Sequence, residues 1–237
     1  MRQLIALTLL LALLALLALP TSCRKSPASR GQHSIQTTNL EQRRPSSEHS
    51  SSKMEGQEIF ERYGSAVFMV FTSDGFNEFQ GSGFFIDSYG LAVSNYHVFK
   101  GTGKGLENIK LPGDDTPHKV VEVYAQSEEE DFILFRVDCD NTNYLPIATA
   151  KPKIGEKVFA IGSPRGLENT FSSGEVSQWR DTNKMQISAL IDHGSSGGAL
   201  INEYGEVVGI TSGTFADGSQ ANLNYAWSID VIKPYLK

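Results

Sequence analysis

Apolar residues in this chain come in short bursts. They fall at Ala66 to Phe71, Gly83 to Ile86, Leu91 to Val93, Lys119 to Tyr124, Phe132 to Phe135, Val158 to Ile161, Met185 to Leu190, Ala199 to Ile201 and Val207 to Ile210, each closed off by turn residues such as Gly, Asp, Ser or Asn. Bursts of that length, rich in Val, Ile and Phe, predict strands, and many short strands at this spacing suggest barrels or a sandwich. Helical patterning is confined to the two ends of the body, over Met54 to Tyr63 and Ile229 to Leu236. The stretch from Ala148 to Gly155, with Pro152, reads as a crossover between two halves, about 54–150 and 151–237.

Upstream of the body the pattern changes twice. Met1-Arg2 and the apolar run from Leu4 to Leu19 read as a secretory signal over 1–23, too short for an ordinary spanning helix. Leu19-Pro20-Thr21-Ser22-Cys23 is similar to the cleavage and lipidation box of bacterial lipoproteins, with Pro20 standing where that pattern has an aliphatic residue. Lipidation at Cys23, plain signal cleavage and an uncleaved anchor all stay open, although Arg24, Lys25 and Arg30 sit on the wrong flank for an uncleaved exported helix. Residues 24–53 are Ser, Gln, Asn, Arg and Thr with hardly any large apolar side chain, which predicts a disordered linker that spaces the body from the membrane.

Charge narrows the partners. The net charge is −6, and because the linker is basic the body is more acidic than the total. An acidic body without a basic stripe argues against nucleic acid. Neither a metal-ligand cluster nor a phosphate-binding glycine loop is present in the sequence, so no cofactor and no metal is expected. Of the two cysteines, Cys139 is expected to fill space near a strand.

Three segments carry chemistry. Gly194-Ser195-Ser196-Gly197-Gly198 sets a serine between glycines, whose backbone freedom lets consecutive N–H groups converge on an oxyanion. The same residues fit the Gly-x-Ser-x-Gly elbow of α/β-hydrolases, but that class places its histidine after the serine, and every histidine here precedes Ser196. The second segment ends the Leu91 to Val93 burst at Asn95-Tyr96-His97-Val98; His118 in a Pro-flanked loop and His193 in the tight turn are weaker rivals. In the third, the acidic run Glu128 to Asp131 stops at an apolar strand. Its glutamates read as solvated charge, and Asp131 as a carboxylate half buried beside an imidazole.

The order His97, Asp131, Ser196 and the surrounding residues resemble the trypsin-like peptidases, and within them the HtrA/Deg group. The resemblance covers about residues 54–237, including Gly81-Ser82-Gly83, Asn95-Tyr96-His97-Val98, Ala160-Ile161-Gly162-Ser163-Pro164 and Gly205-Glu206-Val207-Val208-Gly209-Ile210. It implies an all-β fold of two packed six-stranded antiparallel barrels, with His97 as general base, Asp131 orienting it, Ser196 as nucleophile, and an oxyanion hole from the N–H groups of Gly194 and Ser196. By position it implies a specificity pocket lined by Leu190, Ser212, Gly213, Thr214 and Leu223, with nothing acidic at its base, and protein or peptide substrates. A silent protease-fold binding protein is the rival. Ser195 stands where digestive relatives carry an Asp that pairs with a newly cut N-terminus, so that activation is not expected. The group commonly carries a PDZ domain after the protease, and this chain stops at Lys237, so PDZ gating is not expected either.

Overall fold

The structure, a computed structural model, describes residues 52–103, 105–214 and 223–236. The expected signal, Cys23 and nearly all of the expected linker lie outside the described residues.

The described chain opens with Met54 extended and buried, its N–H donating to Glu203 O at 2.7 Å, and then forms helix α1 over Gly56–Tyr63. Ile59 and Tyr63 are one turn apart and buried on the same face, while Glu58 in the first turn and Arg62 in the last match the helix dipole. The predicted helix therefore exists but starts two residues later.

Six strands form the first sheet: β1 Val67–Ser73, β2 Glu78–Phe85, β3 Leu91–Ser94, β4 Asn108–Lys110, β5 Val120–Ser127 and β6 Phe132–Val137. Their order across the sheet is β4-β1-β2-β3-β6-β5, all neighbours antiparallel. Its two edges approach each other only through an isolated bridge between Ile109 and His118. This sheet thus stops short of the closed barrel expected, because β4 is three residues long and cannot sustain a second ladder. A second set, β7 Lys157–Gly162, β8 Thr170–Trp179, β9 Lys184–Ile187, β10 Ala199–Asn202, β11 Val207–Thr214 and β12 Asn224–Ser228, closes fully as β10-β11-β12-β9-β8-β7.

Core packing joins the sheet to the barrel. Val67, Phe84, Val93 and Phe132 from the sheet form one buried cluster with Phe159, Ile161, Ala199, Val207 and Ile210 from the barrel, capped by Ile59, Ile229 and Val231. Separate apolar clusters fill the far sides of each half, around Phe68, Phe85 and Phe135 in the sheet and around Val158, Met185 and Leu200 in the barrel. Glycines permit the tightest approaches: a Cβ on Gly83 would overlap the Phe68 ring, and one on Gly174 would overlap the Ala189 backbone. The crossover from residue 146 to 148 is pinned to β11, with Val207 N donating to Pro146 O (2.8 Å) and Ala148 N to Val207 O (3.0 Å).

The C-terminal helix expected over Ile229 to Leu236 is instead two single 3₁₀ turns, Ile229–Val231 and Lys233–Tyr235. Pro234 is the reason: it lacks the N–H that would continue an α-helical ladder from the first turn.

Candidate active site

The strand β3 runs out at Ser94, and a four-residue helix, α2 over Tyr96–Phe99, turns the chain so that His97 faces solvent while Val98 is buried. Val98 packs on β2 where Gly81 leaves room, since a Cβ there would overlap both Val98 methyls. Thr72 on β1 donates to Val98 O at 2.8 Å and fixes the helix from below.

Asp131 occupies the turn between β5 and β6. It has φ +46°, a left-handed conformation that costs a non-glycine residue about 1–3 kcal/mol. The turn is held by Asn95, which is fully buried and donates from Nδ2 to Asp131 O at 2.8 Å. The conformation aims the carboxylate at His97: Nδ1 lies 2.8 Å from Oδ2 and 3.0 Å from Oδ1, and the His97 backbone N–H donates to Oδ1 at 3.0 Å. Ser212 Oγ on β11 donates to Oδ2 at 2.7 Å. With its side chain 14% exposed, Asp131 is half buried as its position at the strand edge suggested. An ionised carboxylate can only accept, so Nδ1 carries the imidazole proton and Nε2 is the free lone pair of the neutral ring.

The nucleophile candidate sits on the loop between β9 and β10. Ser196 is anchored through its backbone, its carbonyl accepting from Ser82 N on β2 at 2.7 Å. Its Oγ lies 3.7 Å from where a Cβ on Gly213 would stand, which puts the hydroxyl beside the β11 segment whose neighbour Ser212 holds Asp131. Gly194 has φ +95° and Gly197 φ +88°, values that side chains rarely adopt; a Cβ on Gly197 would collide with Ser82 O and Ser94 Oγ. Among the described residues, the N–H groups of Gly194 and Ser196 have no acceptor.

The specificity-pocket residues are less uniform. Ser212 and Gly213 line β11 next to Ser196, with Gly213 at φ +109°. Thr214 ends that strand, and Leu223 is half buried just before β12. Residues 215–222 between them lie outside the described residues. Leu190, expected to line the pocket, is 65% exposed, because β9 ends at Ile187 and the chain turns outward, Leu190 O accepting from Ser172 Oγ at 2.8 Å. Its neighbour Ala189 is buried, and Ala189 O accepts from the buried Asn224 Nδ2 at 2.8 Å.

His193 is exposed, His118 pairs with Asp114 and Asp138, and His97 is the histidine bound to Asp131. Glu128 and Glu129 are exposed, while Glu130 accepts from Asn183 Nδ2 at 2.8 Å.

Sequence reasoning missed a second layer. Arg165, itself at φ +54°, pairs through Nε and Nη2 with Asp192 Oδ2, both at 2.9 Å, and its N–H donates to His193 O at 2.8 Å. The His193 N–H first, and then Arg165, hold the Asp192 carboxyl below the usual carboxylate range. Gln80 Nε2 donates to Ser163 O at 2.5 Å. The motif glycines flanking Ser82 marked this region; the hydroxyl between them carried no signal of its own.

An antiparallel sheet and a closed antiparallel barrel, each of six strands and packed on one core, define the chymotrypsin-like fold of serine peptidases. Comparison with known proteins gives the family. The model of the trypsin-like peptidase domain matches residues 81–210, more than half of the chain, and the chain belongs to that family. A probable periplasmic serine endoprotease DegP-like from Halomonas elongata is 33% identical over 183 residues, 72% of this chain and 38% of that protein. The chloroplastic Protease Do-like 1 of Arabidopsis thaliana is 28% identical over 64% of this chain and 37% of its own length. Mitochondrial serine protease HTRA2 of Drosophila virilis is 30% identical over 66% and 39%. The chain thus spans under two fifths of the length of these relatives. A serine endoprotease from Yersinia pestis shares the fold, with TM-score 0.68 over 77% of this chain and 65% of that one, at 24% identity.

Proposed function

We propose that the protein is a serine endopeptidase that hydrolyses peptide bonds of protein substrates. Neutral His97 takes the Ser196 proton on Nε2 as the oxygen adds to the substrate carbonyl carbon, and returns it to the leaving amine when the tetrahedral intermediate collapses to an acyl-enzyme. Water then adds by the same proton route and releases the acid. Asp131 keeps the proton on Nδ1 and faces the imidazolium as it forms. The N–H groups of Gly194 and Ser196 receive the oxyanion.

The observation that carries this reading is the paired grip of Asp131 on the His97 ring and backbone, with Ser196 tied through its carbonyl to the same β2 strand that packs against α2. Substrate backbone adds as a strand along Ser212 to Thr214, and the pocket, without an acidic base, takes small or medium apolar side chains. A peptide-library profile dominated by Lys or Arg before the cut would refute that preference. Labelling with a fluorophosphonate tests the whole: Ser196 is labelled in the wild type, and Ser196→Ala is not. Folded wild type that takes no label overturns the reading.

The location proposed is the cell envelope, with a role in protein quality control or processing. The signal-like 1–23 segment and the periplasmic label on the Halomonas relative support it. Cys23 is the proposed lipid attachment point, tested by a diacylglyceryl mass on the mature N-terminus.

A further inference from the structure

Three consecutive peptide planes link His193 to Ser196, and each carbonyl has its own anchor. His193 O accepts from Arg165 N at 2.8 Å; Gly194 O accepts from Ser82 Oγ at 2.7 Å; Ser195 O accepts from Gly198 N at 2.9 Å and from Thr211 Oγ1 at 2.7 Å. A trans peptide is rigid and its C=O and N–H point in opposite directions, so pinning the carbonyls fixes where the N–H groups of Gly194 and Ser196 aim. The two outer anchors belong to the closed barrel and the loops it carries. The middle one comes from β2, across the seam.

We infer that Ser82 is a positioning residue for the oxyanion-binding loop, its hydroxyl setting the angle between the Gly194 and Ser196 N–H groups. This rests on the peptidase reading. Ser82 is 0% exposed and every polar atom it has is committed. Its N–H donates to Ser196 O (2.7 Å), and its carbonyl accepts from Ser94 Oγ (2.7 Å), three residues before His97. Its hydroxyl donates to Gly194 O and accepts from Ser163 N (2.9 Å). The hydroxyl cannot trade these roles: a backbone carbonyl only accepts and a backbone N–H only donates, so its one proton has a single direction. Removing it leaves the middle plane held at one end only, by the Ser195 N–H donating to Asp192 O at 2.9 Å, next to Gly194, a residue without a side chain to resist rotation, and strands the Ser163 N–H in a buried place. The Ser82 backbone bond to Ser196 survives that change, so the nucleophile stays where it is.

Kinetics separate this from a merely structural staple between the two halves. In Ser82→Ala, kcat falls about 10- to 100-fold, short of or near the loss of a whole oxyanion donor, while KM stays within about twofold. Affinity for a peptide aldehyde, which forms a tetrahedral adduct on Ser196, falls by the same factor as kcat. Non-covalent binding of an uncleaved substrate peptide, compared between Ser196→Ala and Ser82→Ala/Ser196→Ala, does not change. Ser82→Cys, which fills the space with a weak donor, shows the same split and guards against a packing defect in the alanine variant. Loss of kcat below about twofold in both variants, or an equal loss of ground-state peptide binding, overturns the positioning role and leaves the peptidase reading standing. A wild type that neither hydrolyses peptide nor takes the fluorophosphonate overturns both.

Discussion

Asp131 holds His97 at two places, the ring Nδ1 at 2.8 Å and the backbone N–H at 3.0 Å, so that a single carboxylate fixes both the position of α2 and the orientation of the imidazole it carries. Ser212 adds a third donor from the opposite half. Both carboxylate oxygens are thereby occupied, Oδ1 by the His97 backbone N–H and Oδ2 by the ring N–H and the Ser212 hydroxyl.

Asp131→Asn keeps the shape and inverts the hydrogen bonding. An amide NH₂ facing Nδ1 forces the ring proton onto Nε2, where a lone pair is needed. We expect kcat to drop about 10⁴-fold at neutral pH with the fold intact, measured by peptide hydrolysis alongside circular dichroism.

Gly213 stands at φ +109° against Ser196 Oγ. Alanine there meets the hydroxyl at an ordinary contact distance but strains the backbone, displacing the β11 segment that holds Asp131 through Ser212. Gly213→Ala should lose about 1 kcal/mol or more of stability in a urea melt, with kcat/KM falling at least about tenfold.

The Asp192 carboxyl is held below the usual carboxylate range by the His193 N–H and Arg165. A group depressed in the folded state stabilises it above its unfolded pKa, and the contribution disappears as pH falls through the lower folded value. The difference in thermal midpoint between wild type and Asp192→Asn should therefore be constant at neutral pH and vanish in strong acid. The group is exposed, so the difference should be small and shrink further in salt.

Burial, with Asp138, Asp140 and Asp87 nearby, pushes the Cys139 thiol up to about 11. Alkylation needs the thiolate, so at pH 8 iodoacetamide should modify Cys139 about 100-fold more slowly than an ordinary exposed thiol, and unfolding in urea should remove the difference. Peptide mapping by mass spectrometry reads this at Cys139 alone.

How far the sequence spoke depended on which face each strand buries. Strands β1, β6 and β7 are apolar nearly throughout and announce themselves. Strand β8, Thr170–Trp179, does not: of its ten residues only Val176 is buried, so it has no apolar burst to find. Strand β4 is too short to show a period, and β12 alternates Asn, Ala and Ser inward, which reads as polar. The catalytic candidates were legible because their chemistry and order are distinctive. Their supports were not: Asn95, Ser163 and Arg165 act through backbone groups of residues up to 36 positions away or through a seam that only the folded chain creates.

That seam has one more implication. His97 and Asp131 come from the open sheet's side and Ser196 from a loop of the closed barrel, with Phe84, Phe132 and Phe159 packed together in the core that joins the two halves. Under the proposed mechanism turnover is a gauge of docking: heat, pressure or a cavity that shifts one half against the other by about 1 Å lowers kcat about 100-fold while each half keeps its own strands and core.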